Sequence, residues 1–154
     1  MEHILSNPVA LLLSVHLAVT WAMIGLIWMV QVVHYPLMAS VGMESSSTYQ
    51  TQHVAKIGWL VGPMMVAEMC LALAVCSVAQ SLSFPWLAWI GFGTLGCIWL
   101  VTVVCSVPAH EVLRNGFHPV EHDGLVRTNW WRTIGWSVRG LIALVLLAGG
   151  HGAI

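Results

Sequence analysis

Asn129-Trp130-Trp131-Arg132-Thr133-Ile134-Gly135-Trp136-Ser137-Val138-Arg139 opens the last of the apolar segments in this 154-residue chain. Arginine, asparagine and tryptophan stand here where a plain membrane anchor would carry leucine and valine. An arginine inside a spanning helix is costly unless it faces a partner or water, so it marks a functional site by default. The segment therefore needs neighbours, and the remaining apolar segments are expected to pack around it as a bundle.

Composition points the same way. The chain is 58% hydrophobic and 7% charged, whereas a soluble domain carries about 25% charged residues. An integral membrane protein is expected. The net charge of −1 includes no basic run, so no nucleic-acid partner is expected. Cys70, Cys76, Cys97 and Cys105 lie in apolar segments without a C-x-x-C pair. They read as small buried hydrophobes, which weighs against a thiol-oxidising enzyme. Met1-Glu2-His3 lacks the positive region of a cleaved signal, so the first apolar segment is expected to remain as a helix. His3 and His151, near the chain ends, are expected to be solvated.

About 20 apolar residues cross the hydrocarbon core, and segments at about 8–34, 54–79, 85–107 and 129–149 are long enough. The fold class is all-α: a single integral membrane four-helix bundle with both termini on one side. Lys56, Arg114, Arg127 and Arg132 lie in or beside the two long connections, 35–53 and 108–128, and the short link at 80–83 carries no basic residue. By the positive-inside rule the long connections are cytoplasmic and the termini periplasmic.

Polar residues recur along the helices in steps of three and four. His16, Thr20, Met23, Ile27, Gln31 and His34 share a face of the first segment, and His16 lies about 27 Å from His34 along the axis. Glu68 lies about 22 Å below His53, and Asn129, Arg132, Trp136 and Arg139 line one face of the fourth segment. This arithmetic predicts two clusters. His34, His53, His110, Asn129 and Arg132 belong to the cytoplasmic end; Glu68, His16 and Arg139 meet near mid-membrane, where a buried carboxylate beside an arginine is the usual way lipid tolerates either.

Three histidines from three helices at one level suit a transition metal such as iron, copper or zinc, with Glu111 available to complete the shell. A haem held by two of them is an alternative, and His16 is a further candidate haem ligand, though no facing helix offers a second histidine at its depth. The plainer reading is that each histidine caps a helix end. His118 and His122, four apart, share a helical face and a spacing used in metal sites, though an exposed polar loop is the simpler expectation. Pro119 suits the first turn of a short amphipathic helix there. Trp136 could wall a flat ligand such as a quinone, and Tyr35 and Trp130 would border the upper pocket.

His34-Tyr35-Pro36-Leu37, His53, Pro63 with Glu68, Val107-Pro108-x-His110, and Asn129-Trp130-x-Arg132-Thr133 with Arg139 resemble a group of small bacterial four-helix integral membrane proteins over nearly the whole chain. That resemblance implies the fold and a multi-pass place in the bacterial inner membrane. The Val-Pro turn and the Asn-x-x-Arg-Thr entry, in the second half, are similar to anthrone-oxygenase-like membrane proteins. This second likeness implies oxidation of an aromatic or quinone-like substrate with little cofactor demand.

The resulting expectation is a membrane oxidoreductase or oxygenase. His34, His53 and His110 would bind a metal or handle protons, Arg132 and Asn129 would clamp a carbonyl or anion, and Glu68, Arg139 and His16 would form a relay below. The alternative is a non-catalytic subunit or assembly factor of a larger membrane complex, a reading that a homogeneous small homo-oligomer would disfavour. A transporter ranks last, since no helix is plainly interrupted at mid-membrane.

Overall fold

The structure, a computed structural model, describes residues 7–150, and the described residues form helices and turns without a strand. The expectations for His3 and His151 fall outside them. We number the long helices α1 (Pro8–Met38), α2 (Met43–Ser77), α3 (Pro85–Val101 with its continuation to Arg114) and α4 (Pro119–Gly150). All four are long and apolar enough to cross a membrane. The protein is an all-α, multi-pass bundle in which α4 packs against both α1 and α3.

Helix α1 starts where local chemistry dictates. Asn7 caps it, its Oδ1 accepting from the amides of Val9 at 3.0 Å and Ala10 at 3.2 Å, and Pro8 occupies the first turn. Both α1 and α3 then run past the ends expected at about 34 and 107 and through Pro36 and Pro108. Each does so through a π-helical turn, Val30–His34 in α1 and Thr102–Ser106 in α3. Pro36 and Pro108 lack the amide that an α-helix needs. The preceding residues shift register instead, Tyr35 N–H reaching the Val30 carbonyl and Val107 N–H the Thr102 carbonyl. The extra residue in each wide turn resets which face follows it.

The long connections are therefore mostly helical. Helix α2, with 35 residues, is about 52 Å long and exceeds the hydrocarbon thickness of about 30 Å. Its polar opening is helical because Ser46 and Gln50 are buried rather than solvated. Pro119 does start a helix, but that helix is α4 itself, 32 residues long. At the opposite end, Ala79–Ser81 forms one 3-10 turn into α3.

The core is layered along the bundle. Leu13, Val75, Ala79, Ala88 and Leu146 fill the short-link end; Met23, Ile27, Met65, Leu95, Ile98 and Trp136 fill the middle; Val30, Tyr35, Met38, Leu113 and Leu125 fill the connection end. The outside is apolar, with Trp59, Leu100 and Leu141 exposed, as contact with lipid requires.

Glycine decides how closely α4 approaches α3. A Cβ at Gly135 would lie 2.8 Å from Ile98 Cγ1, inside the buried middle layer, whereas one at Gly58 would meet nothing within 4 Å. Gly135→Ala is expected to destabilise the bundle by about 1–3 kcal/mol through overpacking. Gly58→Ala should be neutral or stabilising by up to about 1 kcal/mol, since alanine is the better helix former. Unfolding of the two variants in detergent checks the contrast; equal stabilities would contradict it.

Candidate functional site

The bundle holds two polar clusters at different depths. The lower one joins all four helices. Arg139 of α4 donates to Glu68 Oε2 of α2 at 2.5 Å and to His16 Nε2 of α1 at 3.1 Å, and to the Gly91 carbonyl of α3. Thr20 Oγ1 donates to the other Glu68 oxygen at 2.7 Å. Glu68 is fully buried and Arg139 nearly so. Trp136 lies beneath the guanidinium, 5.6 Å from ring centroid to Cζ, and packs in the middle layer rather than against a ligand space. The charge here is neutralised inside the protein.

The upper cluster is built differently. A cavity of about 320 Å³ opens among α1, α2 and α3, with Arg132 of α4 on its wall. Such a volume is in the range of small-molecule sites. It extends along α2 from His53 to Met65, about 18 Å by helical rise. Most of the lining is apolar, including Ile27, Val61, Met65 and Trp99. The polar groups, Tyr35, His53, Thr102, Ser106, His110, Glu111 and Arg132, gather toward the connection end. Gly58 and Gly62, one helical turn apart on α2, leave room that any side chain would fill.

A relay of amides positions Arg132. Gln31 donates to the Val126 carbonyl at 3.2 Å, Asn129 Nδ2 donates to Gln31 Oε1 at 2.8 Å, and Arg132 Nη1 donates to Asn129 Oδ1 at 3.0 Å. A further bond runs from Nη1 to Ser106 Oγ at 3.4 Å. Arg132 is 6% exposed, its Nε–H has no acceptor, and among the described residues no carboxylate lies within 4.0 Å of it. Unlike Arg139, it keeps its charge unmatched beside an open space.

The three histidines of this end come together, but not as three convergent ligands. His34 and His53 stack with ring centroids 4.3 Å apart, and His110 follows at 5.5 Å from His53. Both His110 nitrogens are engaged, Nδ1 with Gln50 Nε2 at 2.6 Å and Nε2 with the Tyr35 hydroxyl at 3.1 Å. His34 sits behind His53, outside the cavity lining, and Tyr49 extends the stack. Among the described residues no group of three or more His, Cys, Asp or Glu side chains is arranged to hold a metal ion. Glu111 pairs instead with Arg114 at 3.0 Å on the surface. Among the described residues neither His34 nor His53 forms a side-chain hydrogen bond, His34 Nε2 being buried without a partner, and of these two only His53 lines the cavity.

Two other residues differ from their sequence-based reading. Trp130 is half exposed, edge-on to Trp28 at 5.7 Å, and lies outside the cavity wall. His122 is buried, and its Nε2 bonds the Tyr35 carbonyl at 2.8 Å. It satisfies one of the orphan carbonyls at the end of α1, which fixes Tyr35 from behind; His118 stays exposed.

Gln50 and Ser106 are the site residues that sequence reading missed. The Ser46, Gln50, His53 spacing of four and three was the available signal, hidden because so polar a stretch reads as a loop. No protein-family model, no curated relative and no solved structure matches the chain.

Proposed function

We propose that this chain is a membrane oxidoreductase of the oxygenase type, acting on a flat, apolar, carbonyl-bearing molecule of quinone-like or aromatic character. One observation carries the reading: Arg132, buried and without a carboxylate partner, stands on the wall of a mainly apolar cavity beside Tyr35, His53 and His110. An apolar body fits between Trp99, Val61 and Met65, and an oxygen at its head meets the guanidinium fork. The connection end, with its basic residues, faces the cytoplasm of a bacterial inner membrane.

The chemistry needs little more than these groups. His53 removes a proton from a CH₂ activated by the substrate's carbonyl, and Arg132 stabilises the resulting enolate oxygen. The electrons pass to dioxygen, and CH₂ plus O₂ becomes C=O plus H₂O without a separate reductant. The resemblance to anthrone-oxygenase-like proteins agrees with this balance. A second reading places a transition metal on His34, His53 and His110, which lie together at this end but would have to turn out of their stack to converge on it. It requires His110 to release Gln50 or Tyr35.

The test uses purified protein in lipid nanodiscs titrated with 2-hydroxy-1,4-naphthoquinone, whose coloured anion reports contact with a cation. Saturable binding with an absorbance shift is expected, together with oxygen uptake when anthrone is supplied. Gly62→Leu should weaken binding about tenfold or more by filling the cavity, without strain, since a Cβ there meets nothing within 4 Å. Absence of binding and of oxygen uptake overturns the proposal. A stoichiometric metal lost in His53→Ala replaces it with the second reading. A stable larger complex that binds no probe favours a non-catalytic subunit.

A further inference from the structure

Gln50 lies outside the lining of the large cavity, yet it is the buried partner of a histidine that belongs to it. Its Nε2 stands 2.6 Å from His110 Nδ1, and its Oε1 is buried without a partner. An amide nitrogen can only donate, so Nδ1 must accept and the ring proton must lie on Nε2. Turning the amide over would leave both N–H donors without an acceptor, whereas the present arrangement leaves one N–H and one carbonyl unmatched, and orphaned carbonyls are the better tolerated. His110 Nε2–H then donates to Tyr35 Oη at 3.1 Å. Having accepted from His110, the Tyr35 hydroxyl has its own proton left to give, and the cavity that Tyr35 lines is where it can be given.

We propose that Gln50 is a positioning residue which fixes the tautomer of His110, makes the Tyr35 hydroxyl a hydrogen-bond donor toward the cavity, and so selects a carbonyl oxygen over a hydroxyl at the ligand's head. The inference rests on the ligand class proposed above and goes beyond it. It states the oxidation level the site prefers: Tyr35 and Arg132 are both donors, and a carbonyl or oxyanion accepts from both. A hydroquinone brings a hydroxyl proton into a ring of donors and leaves one of them opposed. The reversed tautomer, proton on Nδ1, would let Nε2 accept from Tyr35 and would free the phenol oxygen for a ligand hydroxyl.

Two measurements test this. Nitrogen-15 NMR of histidine-labelled wild type, with His110 assigned by loss of its signals in His110→Gln, should show a protonated Nε2 and an unprotonated Nδ1. Affinities for 1,4-naphthoquinone and its two-electron-reduced hydroquinone, the latter measured anaerobically, should favour the quinone. In Gln50→Glu, whose carboxylate accepts only, the proton should move to Nδ1 and the preference for quinone should fall about tenfold, the worth of one hydrogen bond. Tyr35→Phe should lower quinone affinity without lowering that for the hydroquinone. A wild-type His110 protonated on Nδ1, or a Gln50→Glu protein whose preference is unchanged, overturns the inference. Wild type that binds neither probe speaks against the proposed ligand class instead, because the NMR result is read on the empty protein.

Discussion

Glu68→Leu is expected to destabilise the bundle more than any other single truncation of a polar side chain, by about 3–5 kcal/mol. Removing the carboxylate leaves Arg139, 2% exposed, with its charge uncompensated in the middle of the membrane-spanning region. The remaining contacts, His16 Nε2 at 3.1 Å and the Gly91 carbonyl, are neutral acceptors and cannot replace the lost anion. Thr20 loses its acceptor across the helix interface as well, keeping only its bond to the His16 carbonyl at 2.8 Å. In a chain of this length the expected fall in melting temperature is roughly 10 °C. Arg139→Met should be damaging for the mirror reason, a bare carboxylate in the core. The double variant Glu68→Leu/Arg139→Met removes both charges together, and apolar replacement of a buried pair is often neutral. It should recover more than half of the loss. Tryptophan-monitored unfolding of the three proteins in one detergent reads this directly. A double variant as unstable as the sum of the singles would show that the two residues act separately.

That pair was legible from the chain alone, because depth in a helix is arithmetic. Fifteen residues from His53 to Glu68, at 1.5 Å each, place the carboxylate at a computable level, and few other charges are present to meet it. The four spans were legible for the same reason, as runs of apolar residues. What escaped the sequence depends on local exceptions and long-range burial. Pro36 and Pro108 look like terminators, and only a π turn before each carries the helix past them. Those turns aim Tyr35 and His110 at one another, so a central contact of the upper site comes from the feature that helix periodicity cannot represent. Gln50 escaped because a serine- and threonine-rich stretch has no apolar period, although Ser46 and Gln50 are buried by the end of the bundle. Trp130 was misplaced for the opposite reason. Its neighbours on the stripe face inward, but the tryptophan itself turns outward against Trp28.

The two arginines of α4 therefore sit one above the other in opposite electrostatic situations. Arg139 is closed by an internal anion and clamps the register of all four helices. Arg132 is held in position by neutral amides and a serine, and its charge is left over. A buried cation without an anion is an energetic liability that a purely structural bundle would lose nothing by discarding. Under the proposed function, the ligand's oxygen supplies the match that the protein itself does not.

Arg132→Met is accordingly expected to separate function from stability. Affinity for 2-hydroxy-1,4-naphthoquinone should fall about 100-fold, which corresponds to the roughly 3 kcal/mol at the upper end for a hydrogen bond to a charged group. The melting temperature of the empty protein should stay unchanged or rise. The loss side is small: Asn129 Oδ1 gives up its 3.0 Å donor, at about 1–3 kcal/mol, and Ser106 gives up a long contact. The gain side is relief of an ion whose burial costs several kcal/mol, replaced by an apolar chain of similar length. Arg132→Lys sharpens the point, since it keeps the charge but loses the planar fork, and should bind the probe more weakly than wild type while remaining folded. The comparison that decides is with Arg139→Met in the same detergent. If Arg132→Met melts as low as that variant and still binds the probe, Arg132 is a structural residue and the cavity has no anion clamp. If binding goes and the bundle stays, the unmatched charge is what the cavity is for.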